Sequence, residues 1–125
     1  RLRGNGEMLL VVDDEEDQRR LTSSVLTRLN YRVETCNRGQ DALARVKEHH
    51  YDLILLDMMM EEGWDGLRTF MELQKAAPEQ KVVVISGYAD VERAREAFEL
   101  GVHGFVKKPF TLEDIGRSIR VAMAQ

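Results

Sequence analysis

Four short stretches of this chain are almost purely apolar or β-branched, and their spacing limits the possible folds more than any other feature. They are Met8–Val12, residues 53–56, residues 82–85 and the shorter pair Phe105 and Val106. Runs of this length without polar alternation suit strands buried on both faces, as in a parallel sheet covered by helices. A fifth stretch, Arg32–Cys36, alternates polar and apolar residues and so belongs at an edge of the sheet.

Between these stretches the apolar period becomes helical. Leu21, Val25 and Leu29 share one face of a first helix, and Ala42, Leu43 and Val46 mark a second. Leu67, Phe70, Met71 and Gln74 follow the i, i+3, i+4, i+7 rule, and Pro78 stops that third helix. Asp90 caps a fourth helix carrying Val91, Ala94 and Phe98, with Gly101 just past its end. Thr111 and Asp114 have the spacing of a capping box, opening a fifth helix whose Leu112, Ile115 and Ile119 face the core. A strand followed by a helix, five times over, is an α/β chain. Right-handed crossovers make it a doubly wound five-stranded parallel sheet, order 2-1-3-4-5. In such sheets ligands bind beyond the carboxyl ends of the strands, where the strand order reverses.

That rule picks out five polar residues. Asp13 and Asp14 follow the first strand, Asp57 follows the third, Ser86 ends the fourth and Lys108 ends the fifth. Three carboxylates crowded together need a counter-charge, and oxygen-rich acidic sites suit Mg²⁺ or Mn²⁺. Lys108 adds a second positive charge, and the Ser86 hydroxyl can donate to a phosphoryl oxygen, so the set describes placing phosphate on a carboxylate. Singly, each has a plainer reading. An acidic run at a helix start complements the macrodipole, Asp57 caps a loop, Ser86-Gly87 is a turn and Lys107-Lys108 a solvated pair. Their joint placement at neighbouring strand ends decides for chemistry.

The other candidates are structural. Met58, Met59 and Met60 read as adaptable packing and loop. His49, His50 and His103 lack metal-site spacing, Trp64 is a partly buried anchor or a partner contact, and Cys36 is a small apolar filler. With 125 residues the chain suits one domain, residues 8–125, preceded by a linker over residues 1–7. Its start at Arg1 suggests a piece of a longer protein. A formal charge of −4 without a basic block argues against direct nucleic-acid binding. No stretch approaches a membrane span, no signal peptide opens the chain, and a lone cysteine forms no internal disulfide, so the expected setting is cytoplasmic.

Residues 10–15 (Leu-Val-Val-Asp-Asp-Glu), 53–57 (Leu-Ile-Leu-Leu-Asp), 84–87 (Val-Ile-Ser-Gly) and 108–110 (Lys-Pro-Phe) together resemble the receiver domain of response regulators, over nearly the whole chain. The resemblance implies a flavodoxin-like (βα)5 fold. It implies that Asp57 accepts phosphate from a phosphohistidine on a histidine kinase or histidine phosphotransfer protein. Asp14, Asp57 and the Met59 carbonyl would bind Mg²⁺ directly, and Asp13 through water. Lys108 would pair with the phosphoryl group and precede a cis bond to Pro109. Ser86 and Phe105 would be the switch residues, changing the surface of the fourth helix, fifth strand and fifth helix. Such a domain catalyses only its own phosphorylation and dephosphorylation. The implied parent is a hybrid sensor histidine kinase ending in this receiver, or else a transcription regulator, and a homodimer is compatible with either. In one place the chain departs from the family pattern. A Met-Pro turn and an Asp-Gly pair usually follow the phosphorylated Asp, but Met60-Glu-Glu-Gly-Trp-Asp65-Gly66 lacks the proline and is one residue longer. A freer loop is expected there.

Three rivals remain at this point. An unphosphorylated binding module on the same fold would typically lack one of the five residues. A metal-dependent phosphatase would carry a second acid near its nucleophile, where this chain has Met58 and Met59. A flavodoxin-like flavin protein would want a Ser/Thr/Gly-rich loop where this chain has Asp13-Asp14-Glu15-Glu16.

Overall fold

A computed structural model describes residues 2–125, apart from the side chain of Tyr88. Five strands, β1 (Met8–Val12), β2 (Arg32–Cys36), β3 (Leu53–Asp57), β4 (Val82–Ser86) and β5 (Gly104–Lys107), alternate with five helices. These are α1 (Glu16–Arg28), α2 (Gly39–Glu48), α3 (Gly66–Ala76), α4 (Val91–Glu99) and α5 (Leu112–Met123). All pairings are parallel and the strand order is β2-β1-β3-β4-β5. The expected sheet and its reversal point between β1 and β3 are therefore present.

Alternate residues of the same strands feed two separate cores, which is why the strands are apolar throughout. Leu10, Val12, Ile54, Leu56, Val82 and Val84 pack with Ala42, Phe70, Leu73, Ala94 and Ala97 of α2, α3 and α4. Leu9, Val11, Leu53, Leu55, Val83 and Ile85 pack on the other face with Leu26, Ile115, Ile119 and Ala122 of α1 and α5. Each fully buried Leu or Ile contributes about 1.5–3 kcal/mol. β2 lies at the edge with only Cys36 fully buried, as its alternation requires.

On three helices some expected positions face outward while their expected neighbours pack in the cores. In α1 the buried residues are Thr22 and Leu26, while Leu21 is exposed. Val25 and Leu29 pack in the core as expected, and the weakly polar Thr22 takes the inward place expected of Leu21. In α3, Leu73 is buried but Met71 is exposed and Gln74 donates to the Leu100 carbonyl. In α4 the small residues Ala94 and Ala97 face the core, whereas Val91 and Phe98 face outward. A close helix–sheet approach favours alanine inside, and this puts the larger side chains on the surface. Asp90 stands at the cap position just before α4, yet its Oδ1 accepts from Gly87 N at 2.8 Å and not from the helix. It thereby closes the short 3-10 turn Tyr88–Asp90. The α5 capping box forms as expected, with Thr111 Oγ1 accepting from Asp114 N at 3.0 Å and Asp114 Oδ2 from Thr111 N at 3.1 Å.

Residues 2–7, read as linker from the sequence, lie along the domain. Gly4 donates to the Leu29 carbonyl at 2.7 Å and packs against the Tyr31 ring, which a Cβ there would overlap. Glu7 pairs with Arg120 of α5 at 3.3 Å. Arg1 falls outside the described residues. Among the described residues no helix is long and apolar enough to cross a membrane.

Candidate functional site

The sheet brings all five singled-out residues to one edge. Asp13 and Asp14 leave β1, Asp57 closes β3, Ser86 closes β4 and Lys108 follows β5. Register sets Asp57 beside Ile85, and Ser86 beside Lys107. Lys108 N donates to the Ser86 carbonyl at 2.8 Å, and the Lys108–Pro109 bond is cis, as the resemblance implied. Lys108 Nζ stands 3.3 Å from Asp57 Oδ2. Asp13, Asp14 and Asp57 each offer a carboxylate oxygen, all within 4.8 Å of one another.

Each carboxylate is held by one backbone amide. Asp13 Oδ1 accepts from Glu15 N at 3.0 Å, Asp57 Oδ1 from Met59 N at 3.1 Å, and Asp14 Oδ2 from Glu61 N at 2.8 Å. Asp13 and Asp57 are buried at 3% and 2% exposure, whereas Asp14 is half-buried. Burial pushes the Asp57 carboxyl up to about 7; the charge of Asp13 adds to this, and Lys108 opposes it. Asp13 is raised as well, mainly by burial, with the Glu15 amide and Lys108 opposing. The cluster is thus short of positive charge. Among the described residues it offers carboxylate oxygens and no thiol or imidazole, which fits a hard divalent cation.

Gly66 lets the segment after Asp57 turn back tightly. A Cβ there would lie 2.5 Å from Met58 Cα and 2.6 Å from the Asp57 carbonyl oxygen. The loop is also more firmly tied than its missing proline suggested. Glu61 N bonds Asp14, and Asp65 caps α3 by accepting from Arg68 N at 2.8 Å while also pairing with Arg93 of α4. Trp64 is half-buried, with the Arg68 guanidinium 5.0 Å from its ring centre. That cation–π contact makes it an anchor of the loop. Met58 and Met60 are core residues, and Met59 is exposed.

The remaining candidates lie away from this edge. Phe105 is 52% exposed, and Val91, Phe98, Leu100 and Val121 are further exposed apolar residues. His103 Nδ1 accepts from Val82 N at 3.1 Å, His50 pairs with Asp52, and Cys36 is buried as a free thiol. Two contributors had no visible signal in the sequence. The Glu61 amide is a backbone group, and the partner of Arg93 depends on how α4 docks. Arg19 was also missed: its Nη1 donates to the Asp13 carbonyl at 2.8 Å, and only its place one turn into the helix after the acidic pair hinted at this.

Comparison with known proteins gives a consistent result. The family model described as "Response regulator receiver domain" matches residues 9–120. The chain is 31% identical to the regulatory protein AtoC of Escherichia coli over 92% of this chain and 25% of AtoC. It is 34% identical to the transcriptional regulatory protein ResD of Bacillus subtilis over 89% of this chain and 45% of ResD. Among solved structures, the receiver domain of NtrX from Brucella abortus superposes with TM-score 0.82 at 35% identity, over 93% of this chain and 95% of that one. A longer NtrX structure gives 0.89 at 32% identity, over 95% of this chain and 27% of that one. The chain thus spans only about a quarter of AtoC's length.

Proposed function

This chain belongs to the response regulator receiver family, and from that premise we propose that Asp57 is its phosphoacceptor, served by Asp13, Asp14, Ser86 and Lys108. The observation that carries the proposal is the convergence of three carboxylates within 4.8 Å of one another on an edge where Lys108 faces Asp57 at 3.3 Å.

The chemistry follows from these groups. A carboxylate oxygen of Asp57 attacks the phosphorus of a phosphohistidine; the new O–P bond forms as the P–N bond breaks, and the imidazole leaves with the electron pair and takes up a proton. A carboxyl titrating near 7 must first be ionised to act as nucleophile, and Lys108 favours that form. Lys108 then holds a phosphoryl oxygen, and Ser86, buried at the end of the neighbouring strand, can donate its hydroxyl to another. Asp14, Asp57 and the Met59 carbonyl would hold Mg²⁺ (or Mn²⁺), with Asp13 acting through water, and the cation would supply the positive charge that the transferred group needs. A phosphoryl group carries about −2 charge, so it biases any element able to reach it. In this reading Ser86 moves toward the new group, Phe105 turns inward in step with it, and the exposed residues of α4, β5 and α5 are the surface whose partners would change.

The donor in this reading is a histidine kinase or histidine phosphotransfer protein, in a cytoplasmic setting. The relatives bear the names of regulators, which favours a regulator's receiver over the end of a hybrid sensor kinase as the parent. The domain's own acidity speaks against its touching nucleic acid directly. The test is incubation with Mg²⁺ and acetyl phosphate, followed by intact mass. One added phosphoryl group that needs the metal and is absent from Asp57→Ala supports the proposal. No addition from acetyl phosphate, and none from candidate partner kinases, would contradict it.

A further inference from the structure

The three carboxylates differ in what holds them. Asp13 and Asp57 are buried, and each is bonded by the amide two residues further along its own turn. Asp14 is half-buried, and its bond comes from Glu61, 47 positions away, at 2.8 Å. Neither burial nor a local turn fixes this side chain; the tip of the loop after β3 does. The residues on either side of that tip are anchored. Met60 sits in the core, Trp64 N approaches Gln40 Oε1 at 3.5 Å, and Asp65 caps α3. The Glu61 amide is therefore presented from a supported arch. A Met-Pro turn in its place would have no N–H to give.

We propose that the Glu61 backbone N–H is a positioning group for Asp14, holding it through Oδ2 so that its other oxygen is pre-set for a divalent cation. Cation affinity and closure of the loop at residues 61–64 are then coupled. Hydrogen bonds to metal-ligating carboxylates commonly govern affinity in this way, and losing one costs about 10–100-fold. The inference rests on the reading of Asp13, Asp14 and Asp57 as the cation site.

Titration calorimetry with Mg²⁺ tests it. Glu61→Pro removes the donor and is expected to weaken binding at least about tenfold. Glu61→Gln keeps the amide while removing the charge and should stay within about twofold of wild type, because an exposed carboxylate is well screened. Equal affinity in wild type and Glu61→Pro overturns the inference, as does an equal loss in Glu61→Gln and Glu61→Pro. Hydrogen exchange at the Glu61 amide gives a second test that does not depend on how proline fits the loop. Asp14→Ala should remove protection of that amide, and unchanged protection overturns the inference. If wild type binds no Mg²⁺ at all, the cation-site reading falls with it; equal binding by the Pro variant overturns the Glu61 assignment alone.

Discussion

The centre of the sheet and its β5 edge contrast sharply. Every residue of β3 is buried, and α3 beside it buries Gly66, Leu67, Thr69, Phe70 and Leu73. At the edge, only Val106 of β5 is buried, and α4 rests on two alanines while Phe98 and Val91 face outward. Asp57 therefore sits on a strand buried throughout, and Lys108 leaves a largely exposed edge strand. In the proposed reading, a site that straddles both keeps its acceptor carboxylate fixed while a small change in charge moves the softer side. Elements with few buried contacts open at the lowest cost in free energy.

Substitutions along the sheet can break or sharpen this contrast. The largest effect is expected at the buried centre, where Leu55→Ala, fully buried, should cost about 2–5 kcal/mol in denaturant unfolding. Next comes the acid cluster. Asp57→Asn removes a buried carboxylate pushed up to about 7, and each pKa unit is worth about 1.4 kcal/mol, so the metal-free variant should gain up to about 4 kcal/mol at neutral pH, less what the lost pairing with Lys108 takes back. The sign follows from proton binding. Between the unfolded value near 3.8 and the folded value near 7 the native state holds more protons than the unfolded state. Wild-type stability should therefore fall as pH rises through that window, and melting curves of the two proteins should diverge with pH until they level off above it. Asp65→Ala removes the α3 cap and the tie to Arg93, and is expected to cost about 1 kcal/mol with faster amide exchange in α4. The smallest effect belongs to the soft end, where Phe98→Ala should shift stability by no more than about 0.5 kcal/mol. A large loss there would mean that α4 carries packing on its outer face.

The parts legible in the sequence were those written in side-chain contrast. Uninterrupted runs such as residues 53–56 announce burial on both faces, the alternation of Arg32–Cys36 announces an edge, and topology then gathers Asp13, Asp14, Asp57, Ser86 and Lys108 at one edge. What escaped was low in contrast or carried by the backbone. Thr22 and Ala97 face the core without looking apolar enough to outvote Leu21 and Phe98. Asp90 has the composition of a helix cap, yet it bonds the turn before the helix. The loop after Asp57 looked free because it lacks a proline, but the amide gained in that exchange is the group that ties it to Asp14.

Hydrogen exchange on the phosphorylated domain, beside Asp57→Ala treated identically, tests the contrast most directly. Phosphorylation of wild type should leave β1 and β3 amides unchanged and alter exchange in α4, β5 and the turn containing Ser86, with no change in the variant. Full phosphorylation with no change in α4 or β5, or with changes spread evenly over the sheet, would contradict a fixed acceptor strand signalling through a soft edge.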